Sequence, residues 1–300
     1  MHTGGIKLIR KILPLILSTI LIITGCSDTK YTEDNKEDII NESKLTYSNL
    51  IDNKTQNEIN NILVNNNISN SQVDNFLDIV NDYNKKSDLK SLNTSKSEFT
   101  SIDTQQVPYD DVTLLELWDP DKIGYTDFNC RLTSFNLFKE YIKSESIFTG
   151  DASNLMFDKD AINTNKLCKF NKDDVDKFTN FFAAIDVQNS KDVNRHAKSI
   201  IKEWEKRKIS FIDNPNISMI NVFLHYPDTN NVFIGHSAIL VKDKYEYLFV
   251  EKYAPSLPYQ VSKFKTKSEV YNYLMDRLDA NYSGADSSKP IIMENNKLMK

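Results

Sequence analysis

Glycine, histidine and cysteine are scarce in this chain of 300 residues, which has 7 glycines, 4 histidines and 3 cysteines. So few glycines leave little room for a glycine-rich loop that cradles phosphate groups. Neither a His-Glu-x-x-His helix nor a Cys-x-x-Cys pair is present, so no motif points to a metal site. Basic residues form no long cluster after residue 25, which argues against a nucleic-acid groove. We therefore expect no cofactor, no metal and no nucleic-acid partner.

The amino terminus has the layout of a secretory signal. Lys7, Arg10 and Lys11 supply positive charge. The apolar run that follows, 12–23, has 12 residues and is too short to span a bilayer as a helix. It leads into small residues before Cys26, a pattern that resembles the lipobox of bacterial lipoproteins. The resemblance implies cleavage before Cys26, lipid on that cysteine and anchoring at the outer face of the cytoplasmic membrane; a short membrane anchor with a chance cysteine is the alternative.

Composition divides the remaining chain into a tether and one domain. Residues 26–45 are polar and charged without hydrophobic periodicity, which is typical of a flexible tether. Residues 46–296 suffice for a single domain with a large core. The abundance of Asn, Lys and Ile suggests an AT-rich genome and a bacterium of Gram-positive type. Cys130 and Cys168 either pair as a disulfide or stay free, and we expect free thiols because secreted proteins of such bacteria often lack disulfides.

Hydrophobic spacing predicts helices in the first part of the domain and strands in the second. Helices are expected at 55–66, 71–84, from 129 or 130 onward, 173–185, 191–208 and 268–278. Ser71 is the predicted N-cap of the second helix, and Asp127 or Asn129 that of the third. Three β-rich runs, 217–226, 231–241 and 246–253, are separated by short turns and predict an antiparallel meander. This order indicates an α+β fold, with a helical amino-terminal half packed on a carboxy-terminal antiparallel sheet.

Cys130 stands where the third helix is predicted to begin. There the helix dipole and the unpaired backbone N–H groups favour a thiolate, and the same N–H groups can stabilise an oxyanion. A thiolate nucleophile needs a base, for which His196, His225 and His236 are the candidates. His196 lies at the edge of an apolar helix face and is expected to be structural, while His225 precedes a turn and is expected to be exposed. The alternative is that Cys130 is plain core, as we expect of Cys168.

Strand register favours His236 as the base. A two-residue turn would pair Lys242 with Tyr245, and a four-residue turn would pair Val241 with Glu246. Both turns give the same register, which places Glu251 opposite His236. A carboxylate there holds the imidazole in one tautomer and stabilises the imidazolium. A four-residue turn between the first two strands places Asn221 on the other side of His236 as a second orienting candidate. The alternative is that the histidine and glutamate form a surface salt bridge.

Two short motifs resemble those of the NlpC/P60 family, a branch of the papain-like cysteine hydrolases. The run 128–130 (Phe-Asn-Cys) is similar to that family's Phe-(Asp/Asn)-Cys, and 236–239 (His-Ser-Ala-Ile) is similar to its His-Val-Gly-Ile strand. The resemblance implies a papain-like core, a nucleophilic cysteine that opens a helix, a histidine and a third polar residue on the sheet, and cleavage of amide bonds in peptidoglycan stem peptides. Arg131 and Leu132 replace the family's Ser-Gly, and Glu251 replaces its usual third residue.

A longer stretch, from about Leu45 to Asn296, resembles bacterial lipoproteins grouped as domain of unknown function 4300. The pieces that carry this resemblance include NCRLTSF, FIGHSAILV and FVEKYAPSLPYQVSKF. The resemblance implies a lipoprotein and assigns no reaction.

We therefore predict a membrane-anchored cysteine hydrolase, a peptidase or amidase, with Cys130 as nucleophile, His236 as general base and Glu251 as the residue that orients the histidine. By location and analogy, its substrate is a peptide or amide of the cell wall. The predicted substrate-binding residues, with Arg131 holding a carboxylate through its guanidinium fork, are Tyr125, Asn129, Arg131 and Asn221. The alternatives are a non-catalytic lipoprotein that binds a cell-wall or protein partner, and a transglutaminase-like acyl transferase.

Overall fold

The computed structural model describes residues 44–282 and 286–300. The predicted signal peptide, most of the predicted tether and Cys26 lie outside these residues. Among the helices of the described part, none combines the length and the apolar character that a membrane crossing needs.

The described residues contain nine α-helices, of which α1, α2, α5, α7, α8 and α9 correspond to the predicted helices. Their bounds are α1 Asn53–Asn65, α2 Asn70–Lys86, α3 Asp111–Leu117, α4 Pro120–Ile123, α5 Cys130–Phe138, α6 Met156–Thr164, α7 Lys172–Phe182, α8 Val193–Lys206 and α9 Lys267–Tyr282. Ser69, and not the predicted Ser71, caps α2 and forms a capping box with Gln72. The unpredicted helices α3, α4 and α6 have 7, 4 and 9 residues, too few for a clear hydrophobic period.

The described residues also contain eleven strands, and most of them join one antiparallel sheet. Their bounds are β1 Leu45–Ser48, β2 Thr100–Ile102, β3 Ile142–Ser144, β4 Ile185–Asp186, β5 Ile209–Phe211, β6 Ile217–Tyr226, β7 Asn231–Asp243, β8 Glu246–Lys252, β9 Tyr259–Phe264, β10 Ile291–Glu294 and β11 Lys297–Leu298. The sheet order is β11-β10-β6-β7-β8-β9-β1-β2, with β4 beside β7, and β3 pairs with β5 separately. The α+β class and the central meander β6-β7-β8 are confirmed. The predicted division into a helical half and a sheet half is too simple, because β1 and β2 come from the amino-terminal part.

The register between β7 and β8 differs from the prediction by two residues. Asp243 pairs with Glu246, so the turn consists of Lys244 and Tyr245, and Lys244 has a φ of 46° in the left-handed region. The predicted pairing of Val241 with Glu246 is therefore wrong. Because side chains alternate between the two faces of a sheet, a shift of two residues leaves each side chain on the face that was predicted for it.

A β-bulge changes the register between β6 and β7. The predicted pairing of Tyr226 with Asn231 is confirmed, but the register shifts further along, so that Val222 pairs with His236 and Asn221 with Ser237. The predicted pairing of Asn221 with His236 is wrong for this reason. Gly235 is the extra residue of the bulge, and an added Cβ there would lie 2.3 Å from Cδ1 of Leu224, so the Leu224 side chain fills the space that a larger residue would need.

Helix α5 is enclosed on nearly all sides, although the spacing predicted one apolar face. Eight of its nine residues are buried, and it packs against β7, β8 and α2. Phe135 meets Phe178 and Phe182 with ring centroids 5.3 and 6.2 Å away, and Oγ of Ser134 lies 2.7 Å from Oγ of Ser237 on β7. This packing sets the first residue of α5, Cys130, against the bulge in β7.

Candidate active site

Cys130 is the first residue of α5, and its sulfur lies at the bulge of β7. The side chain of Asn129 accepts a hydrogen bond from the Leu132 N–H at 3.0 Å and so caps the helix. The sulfur of Cys130 lies 3.9 Å from the carbonyl oxygen of Gly235, and the residue is 5% exposed. The nearby backbone N–H of Ser237 helps to lower the pKa of the Cys130 thiol. The nucleophile candidate is thus held by the helix start and by the bulged strand together.

His236 lies between Cys130 and Glu251. Its Nε2 is 2.7 Å from Oε2 of Glu251, and its ring lies close enough to the Cys130 side chain to lower the pKa of that thiol. Since Nε2 faces the carboxylate, Nδ1 is the ring nitrogen left for the sulfur. The Nε2–H is not aligned with Oε2, so the contact is an ion pair between the protonated ring and the carboxylate. The structure therefore brings together the three residues predicted as nucleophile, base and orienting group.

Because of the two-residue change of register, His236 and Glu251 are diagonal neighbours instead of directly opposite partners. Glu251 stands two positions away from the place opposite His236, on the same face of the sheet. Diagonal neighbours on one face are within reach of long side chains, and both His236 and Glu251 are long enough to meet.

The charges of the three groups support one another. Burial raises the pKa of Cys130, but the hydrogen bond and charge of His236 outweigh it and hold that pKa below its usual value. Burial and Arg277 lower the pKa of His236, yet the bonds to Cys130 and Glu251 raise it overall. Burial raises the pKa of Glu251, while Arg277 and His236 bring it below its usual value. These directions favour a thiolate, an imidazolium and an ionised carboxylate.

Two residues of α9 complete the surroundings of Glu251. Arg277 donates from Nη1 to Oε2 of Glu251 at 2.8 Å, and the Tyr273 hydroxyl donates to Oε1 at 2.6 Å. Arg277 also donates to the carbonyl oxygen of Tyr253 and lies over that ring, with Cζ 3.5 Å from the centroid. The sequence reasoning missed Tyr273 and Arg277; their spacing of four on a helix face that is otherwise apolar was the available signal.

A cleft opens over Cys130 and His236. Its volume is about 440 Å³. Its walls combine tyrosine rings, apolar side chains and the Arg277 guanidinium. The lining includes Tyr109, Asp111, Gly235, Tyr253, Ala254 and Arg277. The Tyr109 hydroxyl donates to Gln260 at 2.9 Å and accepts from Asn49 at 2.6 Å, which fixes its ring in the wall. We refer to this space as the triad cleft.

Arg131 and Asn129 are both bound to Asp158 of α6. Arg131 donates to the Asp158 carboxylate from Nε at 2.9 Å and from Nη2 at 2.5 Å, and from Nη1 to the Ile234 carbonyl at 3.0 Å. Asn129 donates to Oδ1 of Asp158 at 2.8 Å. The guanidinium fork predicted to hold a substrate carboxylate is therefore engaged by a carboxylate of the protein itself.

The other two predicted substrate-binding residues contact other parts of the protein. The Tyr125 hydroxyl donates to Asp82, and Nζ of Lys86 lies 4.2 Å from the Tyr125 ring centroid. Asn221 accepts a hydrogen bond from Oγ of Ser237 at 2.8 Å on the face opposite to His236. Neither residue lines the triad cleft.

The remaining cysteine and histidines are not part of this arrangement. Cys130 and Cys168 are both free thiols. His196 donates from Nε2 to the Ser190 carbonyl oxygen at 2.6 Å, and its ring lies 4.5 Å from that of His225. The expectation that His225 is exposed is wrong, because it is 3% exposed and accepts from the Ser288 N–H at Nδ1.

A buried ion pair links the strand of Glu251 to the segment before Cys130. Nζ of Lys252 lies 2.8 Å from Oδ2 of Asp127, and the Lys252 side chain is fully buried. Nζ also lies 3.4 Å from the ring centroid of Tyr83 and 4.3 Å from that of Tyr259. Burial lowers the pKa of Lys252 to about 8 and raises that of Asp127. Both shifts show that desolvation outweighs the attraction within the pair.

Residues 46–299 match the family described as domain of unknown function, DUF4300. The chain belongs to this family. No curated protein and no solved structure matches the chain. For this DUF4300 member, within residues 44–282 and 286–300, no group of three or more His, Cys, Asp or Glu side chains is placed to hold a metal ion.

Proposed function

We propose that this chain is a cysteine hydrolase that cleaves amide bonds. The observation that carries the proposal is the continuous contact from the Cys130 sulfur through the His236 ring to the Glu251 carboxylate. A nucleophile, a base and a group that orients the base are the parts that covalent acyl transfer needs. Their meeting beside an open cleft argues against a purely structural role for each one.

The reaction follows from these positions. The Cys130 thiolate attacks the amide carbonyl carbon, and backbone N–H groups at the start of α5 stabilise the oxyanion. The C–N bond then breaks as the His236 imidazolium gives its proton to the leaving amine, and a thioester remains on Cys130. In the second half, His236 takes a proton from water, the hydroxide attacks the thioester carbonyl, and the carboxylic acid leaves as the thiolate is restored. Glu251 stabilises the imidazolium in both halves.

Location and resemblance support a cell-wall substrate. The lipobox-like pattern before Cys26 supports a lipoprotein anchored at the outer face of the cytoplasmic membrane. The motifs around Cys130 and His236 resemble those of NlpC/P60 hydrolases and support a papain-like core with the same order of functional groups. A peptide or amide of the cell wall is accordingly the substrate class we propose.

The test uses full-length protein and its two described cysteines. Iodoacetamide alkylation near neutral pH, followed by mass spectrometry of peptides, is expected to modify Cys130 at least about tenfold faster than Cys168. Peptidoglycan digested with the wild type is expected to yield new amine ends, which Cys130→Ala abolishes and the matched variant Cys168→Ala retains. Equal alkylation at both cysteines, together with identical digests of wild type and Cys130→Ala, would favour the non-catalytic binding protein. Incorporation of an added amine in place of hydrolysis would favour acyl transfer.

A further inference from the structure

A second cavity lies beside the start of α5. Its volume is about 540 Å³, and its lining includes Asp127 and Asn129, which immediately precede Cys130. The apolar side chains that form most of its walls are Leu115, Trp118, Pro120, Phe157 and Pro255. Glu116, Asp119 and Lys122 provide polar groups along the same cavity. We call this space the apolar groove.

The apolar groove adjoins the triad cleft along three chain segments. At the nucleophile, Cys130 lines the cleft and Asn129 lines the groove. In the loop after β8, Ala254 lines the cleft and Pro255 the groove. On α3, Asp111 lines the cleft, and Leu115, one helical turn later, lines the groove. Because each segment contributes neighbouring residues to both spaces, the apolar groove lies next to the triad cleft.

The walls of the groove are joined to the residues that position Cys130. Phe157 precedes Asp158, whose carboxylate binds both Asn129 and Arg131 and is fully buried. This arrangement places the Phe157 wall in a fixed relation to the start of α5.

The opposite wall is held just as firmly. Nε1 of Trp118 donates to Oγ of Ser87 at 2.6 Å, and the Trp118 ring stacks on Tyr83 with centroids 4.9 Å apart. The Tyr83 hydroxyl donates to the carbonyl oxygen of Ser256 at 2.8 Å, which ties down the loop wall as well. The groove is therefore preformed, as small-molecule and substrate sites usually are.

Large apolar side chains are left exposed at this groove. Phe157 is 69% exposed and Leu115 is 55% exposed, although both line the cavity. Their neighbours Met156 and Val112 are 63% and 70% exposed. Clustered apolar exposure beside a polar rim is typical of a surface that a ligand covers.

We propose that the apolar groove binds an apolar group of the amide substrate, on one side of the amide bond that Cys130 attacks. This inference rests on the proposed function, because the groove can select a substrate only if the neighbouring Cys130 attacks that substrate. The triad cleft, with Tyr109, Tyr253 and Arg277, then receives the more polar part of the same substrate. An apolar group next to the scissile bond is removed from water between Leu115 and Phe157, and this burial favours substrates that carry such a group.

The test compares two alkylating probes that differ only in apolar bulk. N-methyl iodoacetamide and N-phenethyl iodoacetamide both form a bond between the Cys130 sulfur and carbon, with loss of iodide. In full-length wild type, the phenethyl probe is expected to react with Cys130 about tenfold faster than the methyl probe, after correction by the ratio for free cysteine. Leu115→Gln and Phe157→Gln are each expected to reduce this preference to less than about threefold.

The matched control is Ile147→Gln. Ile147 is 67% exposed, nearly as much as Phe157, but lines neither the cleft nor the groove. It is expected to keep the full preference of the wild type. No preference in the wild type, or the same preference in Phe157→Gln and Ile147→Gln, would overturn the groove proposal.

The outcome is separable from that of the hydrolase proposal. The groove is tested by the ratio of two rates at one sulfur, which does not depend on how reactive that sulfur is. The hydrolase proposal is tested by the absolute rate at Cys130 relative to Cys168 and by digestion of peptidoglycan. A fast Cys130 without preference contradicts the groove alone, whereas a slow Cys130 with preference contradicts the hydrolase alone.

Discussion

The carboxylate of Glu251 is shared between His236 and Arg277. Its Oε2 lies 2.7 Å from Nε2 of the histidine and 2.8 Å from Nη1 of the arginine, and all three side chains are almost fully buried. The arginine lowers the pKa of His236 while it holds the carboxylate ionised. The carboxylate therefore has two tasks, since it stabilises the imidazolium and neutralises the guanidinium.

Glu251→Gln is expected to slow alkylation of Cys130 near neutral pH by about tenfold or more, because the imidazolium that stabilises the thiolate loses its counter-charge while Arg277 remains. Peptide-resolved iodoacetamide kinetics measure this rate. Glu246→Gln, at the half-buried start of the same strand, is the matched control and is expected to keep the wild-type rate. Equal rates in the two variants would show that Glu251 does not act on the thiolate.

The pH dependence of alkylation is expected to differ between the two free cysteines. The pKa of Cys130 is lowered by His236, whereas burial raises the pKa of Cys168. As pH falls from about 9 to about 6, the thiolate of an ordinary cysteine is lost, while that of Cys130, whose pKa is lower, is lost at a lower pH. The rate ratio of Cys130 to Cys168 therefore rises toward acid pH.

His236→Ala tests the cause of that difference. Without the imidazolium, burial raises the pKa of Cys130 against only the smaller lowering effects of Arg131 and the Ser237 N–H, so the rate ratio is expected to become nearly independent of pH. A ratio that still rises toward acid pH in His236→Ala would assign the effect to some group other than His236.

Lys252→Met is expected to lower the free energy of unfolding by about 3–5 kcal/mol, because the buried Asp127 carboxylate loses its cation. The double variant Lys252→Met/Asp127→Leu is expected to be more stable than the single variant, since it buries no charge. Urea unfolding measures both. Lys263→Met is the control, because its partners are at the surface and its loss is expected to cost under about 1 kcal/mol. An additive double variant would rule out coupling between Lys252 and Asp127.

The same lysine predicts a pH effect on stability. Burial lowers the folded-state pKa of Lys252 from 10.5 to about 8. Between these two values the unfolded chain binds more protons than the folded one, so the contribution of Lys252 to stability increases as pH rises. Lys252→Met lacks this contribution, and the two unfolding curves are expected to diverge across that range. Parallel curves would contradict a lowered pKa.

Asp158→Asn is expected to destabilise the protein by about 3 kcal/mol or more, because Arg131 stays buried without its carboxylate. Lys159→Gln changes the next, exposed residue of the same helix and is expected to stay within about 0.5 kcal/mol of the wild type. Urea unfolding of the two variants compares them directly. A mild effect of Asp158→Asn would show that Arg131 does not depend on the Asp158 carboxylate. Arg131 would then remain a candidate for binding a substrate carboxylate, as its chemistry first suggested.

Several features follow from sequence that is close together in the chain. The cap at Asn129 and the start of α5 at Cys130 depend on a local hydrogen bond. The meander β6-β7-β8 depends on short turns between apolar runs, and alternation alone puts His236 and Glu251 on one face. An error of two residues in the register leaves both side chains on the same face of the sheet. His236 and Glu251 therefore meet, although they are not directly opposite each other as predicted.

Other features depend on which distant segments pack together, and local spacing carries no information about that choice. Asp158 binds Arg131, Arg277 binds Glu251, and Asp127 binds Lys252 across large separations in the chain. The bulge at Gly235 moves Asn221 away from His236 because the close approach of Leu224 depends on the packing of two strands. The sequence by itself determined where α5 begins and which side chains share a face of β7 and β8. Only the tertiary structure decided which charges neutralise one another in the interior, because a buried charge is stabilised by whatever partner the packing brings near.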